Sequence, residues 1–526
     1  MMLTSSLAGG LVALWFGFAP EWDLLNYHFY NPHAWLTGRS AIDIAPAQLQ
    51  SYLNPTLYIP LYLIFQAFPV KVLVFVTGAI QGGQMILIYL IARQVIERHR
   101  MVPVSLLVVA GLGCLGPIFL NQLGSTPADT ILSSLVLAGL LLILKSLDVS
   151  SGKKNFGIGL SAGILLGATV ALKLTFAIYA VPLGLVLLVC GKPKNRLLLT
   201  FSYGIGAAAG FILMGGYWFL GLWQVYGNPF FPYFNSLFES PWISAVNFRD
   251  LRFMPRSLWE GLFYPYVWFE DPRRVWELKF TDLRILVLYP VMILLPLLRW
   301  RWLGKTSPSL RLLLVFLAIS YFFWIKLFSI YRYLVIVEML APLTLLAVVM
   351  VSTKRARWVV ITVTLLIASQ FMVDFHRKIP TWRFNNQTEA AVADLDSDAM
   401  IIIDSYEPLA YLALWTPDNV PIIRIRANFM NTEQNSGGLY ELAEQRITSH
   451  SGNFYLLHTE TELQKTYMAA DLSRVGLVLE NTDECIPVFK RRIVESGLTP
   501  VLCPLQKLLT EDGDDSKPTT IASPDN

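Results

Sequence analysis

The chain has 526 residues, of which 54% are hydrophobic and only 15% charged, and a mean hydropathy of +0.51. Ordinary soluble domains carry about 25% charged residues, so this composition excludes a soluble globular protein and points to a polytopic membrane protein. The net charge of +4 lies in short basic clusters between apolar runs rather than in one patch, which argues against a nucleic-acid partner.

A spanning helix needs about 20 mostly apolar residues. In chain order the runs are Leu3–Ala19, Val70–Val95, Val102–Leu120, Asp129–Leu147, Phe156–Leu172, Thr175–Cys190, Leu198–Gln224, Ile285–Leu298, Leu312–Leu327, Leu334–Val351 and Trp358–Val373, about eleven spans. Leu3–Ala19 has no basic residues before it and no cleavage site after it, so it reads as a first helix rather than a signal peptide.

Basic clusters stand between these runs: Arg93, Arg98 and Arg100; Lys145, Lys153 and Lys154; Lys192, Lys194 and Arg196; Arg299, Arg301, Lys305 and Arg311; Lys354, Arg355 and Arg357. The positive-inside rule makes them cytoplasmic. The alternation closes if 156–190 is two short helices broken at Lys173. Residues 20–69, 121–128, 225–284 and 329–333, and everything after Asp374, then lie on the extracytoplasmic side.

Beyond Asp374 the apolar runs shorten to strand length (Met400–Ile403, Val420–Ile425, Phe454–Leu457, Val475–Leu479) and alternate with the helical patterns Leu439–Ser449 and Glu462–Leu472. This predicts a small α/β domain over 374–510, with a polar, disordered tail over 511–526, after a transmembrane unit over 1–373. Cys114 and Cys190 sit in apolar runs. Cys485 is expected to open a helix and Cys503 to lie in or just after a strand beginning near Thr499; in an extracytoplasmic domain the two are able to form a disulfide.

The chemistry gathers in the outer loops. The first holds Glu21-Trp22-Asp23, then Asn26, Tyr27, His28, Tyr30, Arg39, Asp43 and Asn54-Pro55. Helical spacing puts Tyr27 on the face of Asp23 and sets Trp22 with Phe29 in an apolar stripe on the membrane. In the plainest reading Asp23 caps a helix, His28 and Asp43 are satisfied polar residues, and Tyr27, Tyr30 and Trp35 are interfacial anchors. Asp129 follows Thr126-Pro127 at the start of the fourth span, where a carboxylate also suits a helix N-terminus. Lys173 ends a glycine-bearing run (Gly163, Gly167) and must either snorkel to the interface or meet an acid or phosphate. The loop 225–284 carries the aromatic stretch Tyr226–Asn235 and Arg249, Arg252, Arg256, Arg273 and Arg274, and is too long for a plain connector. Tyr331-Arg332-Tyr333 opens the tenth span, and Glu338 inside that span needs a basic partner.

An acid directly after the first span, a second acid at the start of the fourth, a lysine-ended glycine helix and an Arg-aromatic pair together resemble the C-superfamily (GT-C fold) of membrane glycosyltransferases. That group includes the protein O-mannosyltransferases, oligosaccharyltransferases and lipid A aminoarabinose transferases. The resemblance implies a sugar transferase of the bacterial inner membrane working on the periplasmic side of the cell envelope. It implies a polyprenyl-phosphate-linked hexosyl or pentosyl donor, a lipid or glycan acceptor, and inversion at the sugar carbon. Asp23, Glu21 and Asp129 become the catalytic acids, with the adjacent Asp-Glu pair of the family replaced here by Glu21-Trp22-Asp23. Lys173, Arg332 and Tyr333 become the donor-phosphate site. Tyr27, His28, Arg39 and Asp43 are assigned to positioning acceptor or donor. A divalent metal, Mg or Mn, on Asp23 and Asp129 is left open.

No Walker loop, His-Glu-x-x-His, serine elbow or Cys/His metal spacing is present. A lipid-linked oligosaccharide polymerase or ligase, and a transporter or flippase of lipid-linked glycans, remain alternatives. A transporter would bury polar groups at mid-membrane depth, whereas here, Glu338 apart, they gather at the outer rim.

Overall fold

The computed structural model describes residues 2–96, 103–190, 195–298, 306–353, 355–375, 382, 384, 388–430, 437–459, 466–489 and 499–508. Arg98, Arg100, Lys192, Lys194, Arg299, Arg301, Lys305 and Lys354 of the basic clusters, and the tail 511–526, lie outside the described residues.

Helices stand at each expected apolar run: α1 (Met2–Phe16), α2 (Tyr30–Thr37), α3 (Ile59–Ala67), α4 (Val70–Val95), α5 (Pro103–Gly113), α6 (Pro117–Gln122), α7 (Ala128–Ser146), α8 (Gly152–Leu172), α9 (Ala177–Cys190), α10 (Arg196–Tyr226), three short helices α11 (Asn235–Phe238), α12 (Leu258–Leu262) and α13 (Tyr264–Glu270), then α14 (Leu283–Leu298), α15 (Pro308–Leu327), α16 (Val335–Ser352) and α17 (Ala356–Gln370). Among the described residues six helices, α4, α7, α8, α10, α15 and the segment Tyr331–Ser352, are long and apolar enough to cross a membrane, and shorter apolar helices join them. The chain is an integral membrane protein. Tyr331–Ser352 is the central helix, 89% of its apolar window being buried inside the protein.

One expectation changes. The run Val102–Leu120 is not one helix: it breaks at residues 114–116, between α5 and α6, where Gly116-Pro117 removes both a side chain and a backbone donor. The break has a use, because a Cβ on Gly116 would collide with Glu338 and Arg284. The loop 20–69 holds α2 and α3.

Small residues set the closest helix crossing. Gly163 and Gly167 of α8 lie against the backbone of Tyr203 and Ala207, and Gly206 and Gly210 of α10 lie against Leu160 and Ile164, so a Cβ at any of the four would strike main chain. Between two apolar helices in lipid, such close backbone approach replaces the hydrophobic effect as the source of association. It also fixes the end of α8, where Lys173 stands.

After α17, β2 (Asp374–Phe375) pairs antiparallel with β1 (Phe280–Thr281). The sheet of the following α/β domain runs β4-β3-β5-β8-β6, with β7 on β8. Its members are β3 (Met400–Asp404), β4 (Ile422–Arg426), β5 (Phe454–Thr459), β6 (Leu477–Val478), β7 (Ile486–Pro487) and β8 (Pro500–Lys507), with α18 (Gly438–Ser449) and α19 (Thr466–Arg474) between them. β3 is parallel to both neighbours, Ile402 facing Ile423 and Leu456. Its five residues Met400–Asp404 are all buried, as a strand covered on both faces requires. Cys503 in β8 is disulfide-bonded to Cys485. Cys485 leads into β7 rather than a helix, because residues 486 and 487 pair with β8.

Candidate active site

Gly17, at φ +80°, ends α1 and lets the chain turn toward Asp23. Leu24–His28 then wind as a wide π turn before α2 begins. Asp23 has helical backbone angles but caps nothing. Its Oδ2 instead lies 2.5 Å from Nη1 of Arg332, 309 residues later. The two side chains are 12% and 26% exposed. Burial by itself would raise the Asp23 carboxyl; the Arg332 guanidinium, with His28 and Lys173 behind it, overrides that and brings it down to about 2. Glu21 stands half-buried two residues earlier. Arg332 pairs with Asp23, which singles out one acid of the Glu-Trp-Asp group.

Asp129, in the first turn of α7 and 1% exposed, places Oδ1 2.6 Å from Lys173 Nζ, and Gln122 Nε2 donates to its Oδ2 at 3.5 Å. Lys173 is extended, φ −154°, between α8 and a 3-10 turn over Leu174–Phe176. Its ammonium does not snorkel away; it turns inward to the acid. The ring of Tyr333 joins the two pairs, with Lys173 Nζ 5.0 Å and Arg332 Cζ 5.3 Å from its centroid. Residues 23, 129, 173, 332 and 333, from four separate stretches of the chain, thus form one cluster of two carboxylates and two cations.

Its wall comes from the same loop. His28 Nδ1 is 2.8 Å from the Thr126 hydroxyl, and its ring stacks on Tyr58 at 4.2 Å. Tyr27 stands edge-on to both, 4.5 Å from His28 and 5.8 Å from Tyr58. Tyr27 and Tyr30 are 6% and 3% exposed and Phe29 is fully buried. They are therefore not membrane-surface anchors, and Trp22 and Phe29 form no shared stripe; Trp35 is 44% exposed. The sequence reading missed Thr126 and Tyr58, although Thr126 lies three residues before Asp129 and Tyr58 four after Asn54. It also missed the part played by Tyr233. Burial, then Tyr333 and Asp23, push the Tyr233 phenol up, so loop 225–284 reaches the same electrostatic field.

A second charged group lies behind Arg332. Arg284 donates to Asp282 at 2.8 and 2.7 Å and to the carbonyl of Leu112 at 3.1 Å. Its guanidinium is 4.0 Å from Glu338, which also accepts from the backbone N–H groups of Ile118 and Phe119, both at 3.1 Å. Arg284 is the basic partner that Glu338 required; nothing in its sequence position distinguishes it from neighbouring loop arginines. Tyr331 donates to Asp282 at 3.1 Å and stacks on Phe280 at 4.1 Å, so the residue before Arg332 is held from two sides.

Arg39 and Asp43 stand apart from the cluster. They pair with each other at 3.2 Å, 0% and 1% exposed; their other side-chain bonds go to the α/β domain and, from Asp43, to Tyr30. Two arginines of the long loop are paired too: Arg274 with Glu260 at 2.5 Å and Arg252 with Asp250 at 2.7 Å. Among the described residues no group of three His, Cys, Asp or Glu side chains is close enough to hold a metal ion. Asp23 and Asp129 each already face a cation.

No protein-family model and no curated protein matches the chain. Its structure is similar to that of ArnT from Cupriavidus metallidurans in the apo state, with a TM-score of 0.53 at 13% identity over 96% of this chain and 97% of that one. The same protein bound to undecaprenyl phosphate gives 0.51 at 13% identity, again over 96% and 97%. An oligosaccharyltransferase from Archaeoglobus fulgidus in the apo form gives 0.44 at 14% identity over 90% and 72%. The two ArnT structures show the fold: over 96% of its length this chain has the membrane fold seen in ArnT, the GT-C fold that the sequence resemblance implies.

Proposed function

We propose that the chain is a membrane glycosyltransferase that moves a hexosyl or pentosyl unit from a polyprenyl-phosphate carrier to a lipid or glycan acceptor on the extracytoplasmic side. The carrying observation is the convergence of the Asp23–Arg332 and Asp129–Lys173 pairs on Tyr333. Undecaprenyl phosphate, the ligand of the similar ArnT, is the kind of carrier this reading requires.

A carboxylate held near a pKa of 2 is a poor base. The donor removes that obstacle. Its phosphate, seated against Arg332 and Lys173, takes the guanidinium away from Asp23, and the desolvated carboxylate recovers its affinity for a proton. Asp23 then accepts the proton of the acceptor hydroxyl while that oxygen attacks the anomeric carbon. The bond from that carbon to the phosphate oxygen breaks, and its electron pair leaves on the polyprenyl phosphate. Attack opposite the leaving group inverts the centre. Arg332 and Lys173 stabilise the charge growing on the phosphate. Asp129 holds Lys173 in place, and Tyr27, His28 and Tyr58 shape the sugar pocket.

The test is mass spectrometry of surface glycans and lipids from cells lacking the chain, complemented with the wild type or with Asp23→Asn. Loss of one sugar that only the wild type restores is expected. Full restoration by Asp23→Asn would end the proposal, and unchanged sugar content with a stalled lipid-linked glycan would point to transport.

A further inference from the structure

The α/β domain grips the loop that carries Asp23. Arg39 donates to the carbonyls of Pro417 and Val420, both at 2.8 Å, while holding Asp43 through two further N–H groups at 3.2 Å. Asp43 accepts from the backbone N–H of Ile422 at 2.8 Å and from the Tyr30 hydroxyl at 3.1 Å. Ile44 adds to the free edge of β4 as an extra parallel bridge with Ile423. Arg424 donates to the Pro46 carbonyl at 2.8 Å, Gln48 donates to the Tyr406 carbonyl at 2.8 Å and accepts from Asn428 N at 3.0 Å, and Arg446 donates to the carbonyls of Ala41 and Ile42.

The contact is direct at the site as well. The turn Leu24–His28 packs on the 3-10 turn Ala410–Leu414 of the α/β domain, and Leu24, Leu25, Tyr411 and Leu412 share one buried cluster. A lid that opens and closes has a small, wet contact with what it covers. This junction is instead a buried ion pair, 0% and 1% exposed, whose remaining donors and lone pairs are taken up by backbone groups of the α/β domain and by Tyr30.

We propose that the α/β domain is a fixed wall of the active site, and that Tyr30, Arg39 and Asp43 are the positioning residues through which it sets the turn bearing Asp23. The chain of bonds is continuous: Ile422 and Arg39 hold Asp43, Asp43 holds Tyr30, and Tyr30 opens the helix that the Asp23 turn feeds. The proposal rests on the reading of Asp23 as the base, and its structural half is testable without that reading.

Hydrogen exchange of the full chain in nanodiscs, without substrate, compares the wild type with Tyr30→Phe and Arg39→Lys. Tyr30→Phe keeps the ring and loses only the bond to Asp43; Arg39→Lys loses the fork. Losing one such bond is worth about 0.5–1.5 kcal/mol, so exchange in the peptide covering 22–31 is expected to rise roughly 3- to 10-fold in Tyr30→Phe, and by more in Arg39→Lys. Sugar transfer by the same proteins is expected to fall in kcat with the donor KM and the melting temperature of Tyr30→Phe unchanged, which a general loss of folding would not give. Unchanged exchange over 22–31 in both variants overturns the wall, as does rapid exchange over 422–426 in the wild type, the mark of a lid. A loosened turn with undiminished kcat overturns the positioning role. If transfer proves independent of Asp23, the proposed function fails while the exchange result still decides the junction.

Discussion

Two charged groups sit within a few residues of each other around Tyr331-Arg332-Tyr333, and they are built on opposite plans. Asp282, Arg284 and Glu338 are at most 3% exposed, with forked bonds, backbone donors and a tyrosine hydroxyl filling their coordination. Among the described residues Asp23 and Arg332 meet through one hydrogen bond and stay partly open to their surroundings. The first is a set of charges whose every partner is protein, which suits a scaffold. The second leaves donors and acceptors for something else to use, which suits a substrate site.

The sharpest way to break this contrast is to remove each cation in turn. Arg284→Met strands two buried carboxylates and is expected to cost about 3–5 kcal/mol, seen as loss of the monodisperse peak and of the melting transition. Asp23→Asn/Arg332→Gln removes both members of the other pair; it is expected to melt within about 1 kcal/mol of the wild type while transfer falls by a factor on the order of 10²–10⁴. Equal destabilisation by the two would erase the distinction.

Acidity sharpens it next. The Asp23 pKa is lowered in the folded chain, so the pair is intact at any pH well above about 2 and fails only as pH falls through that value. The acid limb of kcat/KM, which reports the free enzyme, should therefore owe nothing to Asp23 above about pH 4. In Arg332→Gln burial is less opposed, the carboxyl rises, and an Asp23 limb should move up from about 2 toward and beyond the ordinary carboxylate range. Its absence would show that Arg332 does not govern the acid.

Gly167→Ala drives a methyl into the backbone of Ala207, an overpacking expected to cost about 1–3 kcal/mol and to shift Lys173 with the end of α8; a melting temperature equal to that of the wild type would refute the tight crossing. The smallest effect belongs to Tyr331→Phe, which deletes one hydroxyl from the scaffold and should cost about 0.5–1.5 kcal/mol with kcat reduced little.

Apolar length made the helical unit legible, because a span declares itself in consecutive residues, and the same is true of the short strands of the α/β domain. Asp23, Asp129, Lys173 and Arg332 were legible because a charge beside an apolar run is costly unless it has a purpose. Arg284 was not, since its carboxylate partners are chosen by tertiary contact and loop arginines look alike. Tyr27, Tyr30 and Phe29 misled for the opposite reason: aromatic residues beside a span suggest the lipid interface, and nothing local announces that Leu409, Tyr411 and Leu412 will come to cover their loop. Arg39 and Asp43, four residues apart, looked like site residues because the domain that consumes their bonds is a remote partner.

That remoteness has a cost in time. The N–H that Asp43 accepts from lies 379 residues further along the chain, so the loop bearing Asp23 emerges early in synthesis and waits, with its edge and its buried arginine unmatched, until the last part of the chain is made. Insertion of every helix can be finished before any catalytic geometry exists. Long-range closure of this sort is slow and leaves exposed surface in the interim. Chains cut short before β4 are thus expected to insert into the membrane and still lack an assembled site.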